Sequence, residues 1–96
     1  MITPDIIKNA IRSTEKYSTA QYKVFDLLAD IETNGEINAS VKFIMERTKL
    51  TMPTVYSALR LFQKDNVITK NYNNTYKFNE EKLKQTIDLH HNKNKS

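Results

Sequence analysis

The sequence predicts a single α+β domain that is mostly α-helical and carries one small β-hairpin. A chain of 96 residues can bury only one modest hydrophobic core. Several segments place apolar residues at helical spacing behind a threonine, serine or asparagine. Two short segments on either side of Asn73 are rich in the residues that favour strands. Helices with one hairpin therefore define the expected fold class.

The first predicted helix is short. Thr3 is a suitable N-cap, Pro4 suits the first turn, and Asp5 lies near the positive end of the helix dipole. The apolar spacing extends this helix to about Arg12. A helix of this length is stable only when it packs on another surface.

The second predicted helix is the scaffold of the domain. Ser18 and Gln21 have the spacing of a capping box, and Asn34-Gly35 supplies a C-terminal stop. The apolar face between these signals consists of Val24, Leu27, Leu28 and Ile31. The segment 36–38 that follows is long enough only for a brief strand.

Two further helices are expected on either side of a tight turn. The third has Val41, Ile44 and Met45 at helical spacing and closes near Leu50. The fourth begins at Thr51 as N-cap, with a proline in its first turn, where a missing N–H costs no hydrogen bond.

The fourth helix has one apolar and one polar face. Val55, Leu59 and Phe62 form a stripe that must face the core. The opposite face carries side chains that can donate hydrogen bonds, namely Thr54, Tyr56, Ser57, Arg60 and Lys64. Asn66 suits the left-handed position that ends the helix. The polar face is therefore available to a ligand.

A β-hairpin is predicted directly after the fourth helix, with strands at 67–72 and 75–79. Asn73-Asn74 is the expected two-residue loop, because asparagine tolerates the positive φ of a type I′ turn. This register places Lys70 opposite Lys77, and we interpret the pair as a phosphate clamp. The register also pairs Tyr72 with Thr75, Asn71 with Tyr76 and Thr69 with Phe78, and turns Val67, Tyr76 and Phe78 towards the core. The alternative is a solvated edge whose lysines only prevent sheet aggregation.

A last helix is predicted at 80–91 with Asn79 as its cap, followed by a disordered polar tail at 92–96. With the helix of segment 1–17, it offers more apolar surface than the core of 18–79 obviously needs. This excess favours a homodimer with segment 1–17 as the dimer contact. The alternative is that both helices pack on their own domain, and in either case 1–96 is a single domain.

Positive charge is concentrated in the middle of the chain. Residues 1–40 carry four Lys and Arg against six Asp and Glu, residues 41–77 carry seven against two, and residues 78–96 carry four against three. A localised basic surface favours a polyanion as partner, because neutralised phosphates release counterions. The alternative is that the net charge of +4 only reflects an AT-rich genome.

Part of the chain, about residues 36–79, resembles the winged helix-turn-helix of the MarR class. The resemblance is carried by the run from Ile44 to Val55 and by Leu59, Phe62, Asn66 and Ile68. Lys49 and Asn66 stand where that class often has glycine. The short wing is also similar to small plasmid and phage proteins of the RepL replication type and the TubR partition type. The resemblance implies a winged helix-turn-helix fold that binds double-stranded DNA.

The resemblance also implies which side chains contact DNA. Those of the recognition helix, in the major groove, would be Lys49, Thr51, Met52, Thr54, Tyr56, Ser57, Arg60 and Lys64. Those of the wing, on phosphates or in the minor groove, would be Lys70, Tyr72, Asn73, Asn74 and Lys77. We therefore expect a dimeric, sequence-specific DNA-binding protein that regulates transcription or maintains plasmid or phage DNA through partition or replication.

Neither catalysis nor a cofactor or metal is expected. Gly35 is the only glycine, so the chain has no glycine-rich phosphate loop. His90 and His91 are adjacent, and their side chains diverge by about 100° on a helix. The sequence has no cysteine, which fits the reducing conditions of the cytoplasm. No run of apolar residues approaches the ~20 residues that are needed to span a membrane. The expectation is a cytoplasmic protein without a membrane partner.

Two alternative functions remain open at the level of sequence. A winged-helix protein-interaction module would bind its partner without steep salt dependence and would tolerate Arg60→Ala and Lys70→Ala. A regulator that senses a small molecule would need a pocket between dimer helices, and no residue defines its ligand.

Overall fold

The computed structural model describes residues 3–71 and 75–95, the last seven of these by their backbone alone. In this part of the chain, five helices pack with a three-stranded antiparallel sheet of order β1-β3-β2. The elements are α1 (Pro4–Ser13), α2 (Thr19–Ile31), β1 (Ile37–Asn38), α3 (Val41–Thr48), α4 (Met52–Lys64), β2 (Ile68–Lys70), β3 (Thr75–Phe78) and α5 (Glu80–Lys95). The expected α+β class with mostly helical content is confirmed.

Local side-chain caps begin four of the helices. Thr3 accepts a hydrogen bond from the N–H of the third helical residue of α1, and Ser18 forms both bonds of the capping box with Gln21. Ser40 caps α3, and Asn79 caps α5. The caps predicted at Thr3, Ser18 and Asn79 are confirmed, because such bonds depend only on neighbouring residues.

Phe62 of α4 lies at the centre of the core. Its ring meets Tyr17 and Phe25 edge to face, with ring centroids 5.3 and 5.5 Å apart. The predicted stripe is buried, with Val55 and Leu59 at most 2% exposed. Burial of this stripe fixes the rotation of α4 about its axis and leaves the opposite face at the surface.

A polar contact anchors the end of α4 to the start of α2. The Tyr17 hydroxyl donates to the Asp65 carboxylate over 2.8 Å, and the Lys16 ammonium lies 3.4 Å from the same oxygen. Burial, followed by the bond to Asp65, raises the pKa of the Tyr17 phenol. Asn66 next to it is left-handed at φ 61°, as expected.

α1 packs against both α2 and α5. The residues that α1 buries are Ile7, Ala10 and Ile11, and α5 buries Leu83. Ion pairs from Lys8 to Asp30 (2.6 Å) and from Arg12 to Asp26 join α1 to α2. These apolar side chains are thus buried within a single copy of the chain. This agrees with the alternative in which both terminal helices pack on their own domain. The backbone of α5 continues to Lys95, past the expected end at 91 and into the segment expected to be disordered.

Asn34 and Gly35 form a turn rather than the end of a helix. α2 already ends at Ile31. Asn34 and Gly35 have φ values of 52° and 85°, and the flanking Thr33 and Glu36 exchange backbone hydrogen bonds of 2.8 and 2.9 Å. Two consecutive residues of positive φ between bonded partners make the tight turn of a hairpin. The predicted helix stop is corrected to a turn that leads into β1.

The register of the β2–β3 hairpin differs from the expected one. Lys70 lies opposite Tyr76, Thr69 opposite Lys77, and Ile68 opposite Phe78. The expected pairs Lys70–Lys77, Asn71–Tyr76 and Thr69–Phe78 are therefore wrong. The loop predicted at Asn73-Asn74 and the Tyr72–Thr75 pair lie outside the described residues.

Ile68 explains the observed register. Its side chain is 1% exposed and lies on the inner side of the sheet with Phe78 and Tyr76. Because side chains alternate between the two sides of a strand, a shift of one residue would turn Ile68 to solvent. Burial of Ile68 thus accounts for the observed pairing of β2 with β3.

None of the helices in 3–71 and 75–95 is long and apolar enough to cross a membrane.

Candidate nucleic-acid interface

The turn between α3 and α4 is built around Thr48 and Lys49. The buried Thr48 hydroxyl donates to the Ile44 carbonyl (2.6 Å) and accepts from the Leu50 N–H (3.3 Å). Lys49 is left-handed, with φ 64° and ψ 23°, and its N–H donates to the Met45 carbonyl over 2.8 Å. A lysine therefore occupies a conformation that usually favours glycine, and its side chain is exposed.

The first turn of α4 is not capped by a side chain. Thr51 occupies the N-cap position with extended backbone, but its hydroxyl bonds the Thr54 hydroxyl (2.9 Å) instead of a backbone N–H. Pro53 has no N–H to satisfy. The positive end of α4 therefore has no side-chain cap, and residues 51–53 are exposed.

The side of α4 opposite the core carries polar and cationic side chains and an exposed methionine, and it is free of acids. We call Met52, Tyr56, Ser57, Arg60 and Lys64 the outer face of α4, and all five are exposed. Thr54, expected to belong with them, is half-buried. No Asp or Glu occurs anywhere in α4. This face therefore presents hydrogen-bond donors and two cations without an internal anion to neutralise them.

Lys70 extends this surface onto the hairpin. Directly opposed residues of an antiparallel pair share one side of the sheet, so Lys70 lies on the same side as Tyr76. Burial raises the pKa of Tyr76, and the charge of the Tyr56 phenol adds to the rise. Lys70 is exposed at the end of β2. Because α4 packs against β2, Lys70 lies on a strand that adjoins α4.

Lys77 lies on the other side of the hairpin. It is opposite Thr69 and lines an open groove of about 360 Å³ together with Glu36, Asn71 and Thr75. Glu36 puts a carboxylate in the lining of the same groove, which disfavours a phosphate there. The two lysines are therefore on different sides of the sheet, and the clamp expected between them is not formed.

The sequence analysis missed Arg47 as a candidate contact. This exposed residue precedes the α3–α4 turn, and its guanidinium carbon lies 5.6 Å from the centroid of the Phe43 ring. Stacking on the ring holds the guanidinium in place while its edge stays free to bond an anion. The excess of cations in residues 41–77, which includes Arg47, was the available signal. Tyr72, Asn73 and Asn74, expected at the wing tip, lie outside the described residues.

Within the described residues, no group of three or more His, Asp or Glu side chains is arranged to hold a metal ion. Comparison of the chain with protein-family models, curated proteins and solved structures finds no match.

Proposed function

We propose that the protein is a winged helix-turn-helix that binds double-stranded DNA. In this proposal α3 and α4 are the helix-turn-helix, the outer face of α4 enters the major groove, and the β2–β3 hairpin is the wing. The arrangement of a short helix, a tight turn, a longer amphipathic helix and a hairpin on one surface supports it. Sequence specificity would come from α4, and affinity mainly from cations against phosphates.

One observation carries this proposal. The outer face of α4 combines Arg60 and Lys64 with the hydroxyls of Tyr56 and Ser57, while the same helix lacks any acid. An arginine guanidinium can form two hydrogen bonds with the major-groove edge of guanine, and hydroxyls bond phosphates or base edges. A helix that only covered the core would gain nothing from excluding acids on its solvent side.

The cations around α4 extend the surface in both directions. Lys49 and Arg47 lie before its N-terminus, and Lys70 lies at the end of β2, which packs against α4. An uncapped helix N-terminus adds backbone N–H groups and a positive dipole end, which favour a phosphate. These groups together give a positive surface with acid-free α4 at its centre.

We further propose that the protein binds DNA as a homodimer. A dimer would let two copies of α4 contact successive half-sites about one helical turn apart. Ile7, Ala10 and Ile11 of α1 and Leu83 of α5 are buried within one copy of the chain, so the dimer contact would involve other surface, such as Ile6, which is exposed on α1. Light scattering after size-exclusion chromatography measures the mass, and a monomer at micromolar concentration would refute this part.

Binding to a fluorescent random-sequence duplex at several salt concentrations tests the main proposal. We expect log affinity to fall linearly with log salt concentration, and each phosphate contact removed to reduce the slope by about 0.9. Arg60→Ala and Lys64→Ala on the outer face should both weaken binding. Lys23→Ala is the matched control, because Lys23 is an exposed lysine of α2 outside the positive surface.

The outcomes separate DNA binding from other functions. Affinity that hardly changes with salt, or equal losses in Lys23→Ala and Lys64→Ala, would contradict the proposal. The alternative, a protein-interaction module, is favoured by the exposed Met52 and Tyr56 on α4 and predicts no duplex binding at all. Whether the role is repression, partition or replication stays a prediction, and the genes beside this one test it.

A further inference from the structure

Two large apolar side chains on α4 are exposed. Met52 is 51% exposed and Tyr56 is 48% exposed. They are four residues apart and are therefore neighbours on one side of the helix. Among the described side chains, the other exposed large apolar one is Ile6 on α1. Exposed apolar surface is thus concentrated on the outer face of α4, in its N-terminal half.

The surroundings of this apolar pair fit a polyanion better than an apolar protein surface. Lys49 lies before the pair in the chain and Arg60 follows it by one helical turn, both exposed. An apolar protein partner would have to desolvate these flanking cations without an acid to pair with them.

Duplex DNA offers one apolar group in the major groove, the C5-methyl group of thymine. A thioether side chain cannot donate a hydrogen bond to a base edge, so Met52 can contribute to specificity only by burying apolar surface. In a docked recognition helix, the N-terminal residues are those that contact base edges. Met52 is the first residue of α4 and has the reach to contact such a methyl group.

We propose that Met52, with the Tyr56 ring beside it, contacts thymine methyl groups and makes this pair a determinant of sequence specificity. The inference rests on the proposed DNA-binding function. It assigns thymine-containing steps to the N-terminal half of α4 and leaves guanine contacts to Arg60.

Replacing thymidine by deoxyuridine removes the methyl group and leaves the base pairing unchanged. The full chain is first used to select a binding sequence from a random duplex pool. The selected duplex is then synthesised with deoxyuridine at each thymidine position in turn, and affinity is measured at constant salt. We expect about fourfold weaker binding per contacted methyl group, at one or two positions only.

Variants assign the effect to the protein. In Met52→Ala the affinity ratio between thymidine and deoxyuridine should fall to about one, while Met52→Leu, which keeps an apolar side chain, should retain it. Tyr56→Phe should also retain the ratio, because the ring remains. Ile6→Ala is the matched control, since it removes an exposed apolar side chain from α1 and should not change the ratio. Circular dichroism verifies that each variant is folded.

The possible failures are distinguishable. Tight, selective binding with equal affinity for thymidine and deoxyuridine overturns the inference but leaves DNA binding intact. If deoxyuridine weakens the binding of the native chain and of Met52→Ala equally, the altered duplex itself causes the loss of affinity. This result also overturns the inference. Absence of binding to any duplex refutes the proposed function, and capture of an apolar peptide instead would identify a protein-binding face.

Discussion

Replacing Lys49 with glycine should stabilise the fold and weaken DNA binding at the same time. Lys49 is left-handed, with φ 64° and ψ 23°, at the end of α3. Its backbone N–H donates to the Met45 carbonyl over 2.8 Å, and its side chain is exposed. Glycine adopts this conformation without the contact between Cβ and the backbone, and it keeps the N–H. The change therefore removes strain and charge together.

The expected gain follows from two opposing costs. A left-handed residue other than glycine costs about 1–2 kcal/mol. Glycine has more freedom in the unfolded chain, which offsets about 0.5–1 kcal/mol of that cost. The net stabilisation of Lys49→Gly is about 0–1.5 kcal/mol and is centred at ~0.75 kcal/mol, which corresponds to a rise in Tm of about 3–6 °C for a domain of this size.

Lys23→Gly is the matched control for this experiment. Both variants replace an exposed lysine by glycine and change the net charge equally, but Lys23 lies inside α2. Glycine in a helix interior costs about 1 kcal/mol. Urea unfolding followed by circular dichroism should therefore show a higher midpoint for Lys49→Gly and a lower midpoint for Lys23→Gly.

DNA binding provides the second measurement on the same two proteins. Lys49→Gly should bind a random duplex more weakly and reduce the salt slope by about 0.9, and Lys23→Gly should match the native chain. A destabilised Lys49→Gly would refute the left-handed geometry of the α3–α4 turn. A stabilised variant with an unchanged salt slope would instead show that Lys49 does not contact phosphate.

Three further predictions follow from particular contacts. Tyr17→Phe removes the 2.8 Å bond to Asp65 and should cost about 1–2 kcal/mol in urea unfolding. The folded state raises the pKa of the Tyr17 phenol. The phenol therefore contributes fully to the free energy of unfolding below about pH 10, and this contribution is lost as the pH rises above that value. In alkali the native chain should consequently lose more stability than Tyr17→Phe. Leu83→Ala should lower the free energy of unfolding by about 2–5 kcal/mol, because Leu83 is buried where α5 packs on α1. Thermal unfolding measures this loss. Lys70→Ala should reduce the salt slope of DNA binding more than Lys77→Ala, and the double variant should be additive, because the two lysines lie on different sides of the sheet.

The starts of α1, α2 and α5 could be predicted because the interactions that set them are local. Thr3, Ser18 and Asn79 each bond a backbone N–H three residues further along the chain. The rotation of α4 about its axis could also be predicted, since the spacing of Val55 and Phe62 is enough to identify the buried side. The exposed residues of α4 follow as the complement of that stripe.

The turn at Thr48 and Lys49 could not be predicted from neighbouring residues alone. The bonds of the Thr48 hydroxyl to Ile44 and Leu50 require the complete turn, and a buried threonine gives no signal of it in the sequence. The lysine at the left-handed position even argues against such a turn. Packing of α3 against α4 supplies the free energy that holds Lys49 there.

The hairpin register could not be predicted because the adjacent apolar residues Val67 and Ile68 could each face the core. Tyr76 of β3 pairs with Ile37 of β1 on one side and with Lys70 of β2 on the other. Ile37 and Tyr76 are buried, and the expected register also turned Tyr76 towards the core, so β1 does not distinguish the two registers. Burial of Ile68 does distinguish them, because it puts Lys70 on the side of Tyr76, while Lys77 lines a groove on the other side with Glu36. A single buried isoleucine in β2 thus determines that the two hairpin lysines lie on different sides of the sheet.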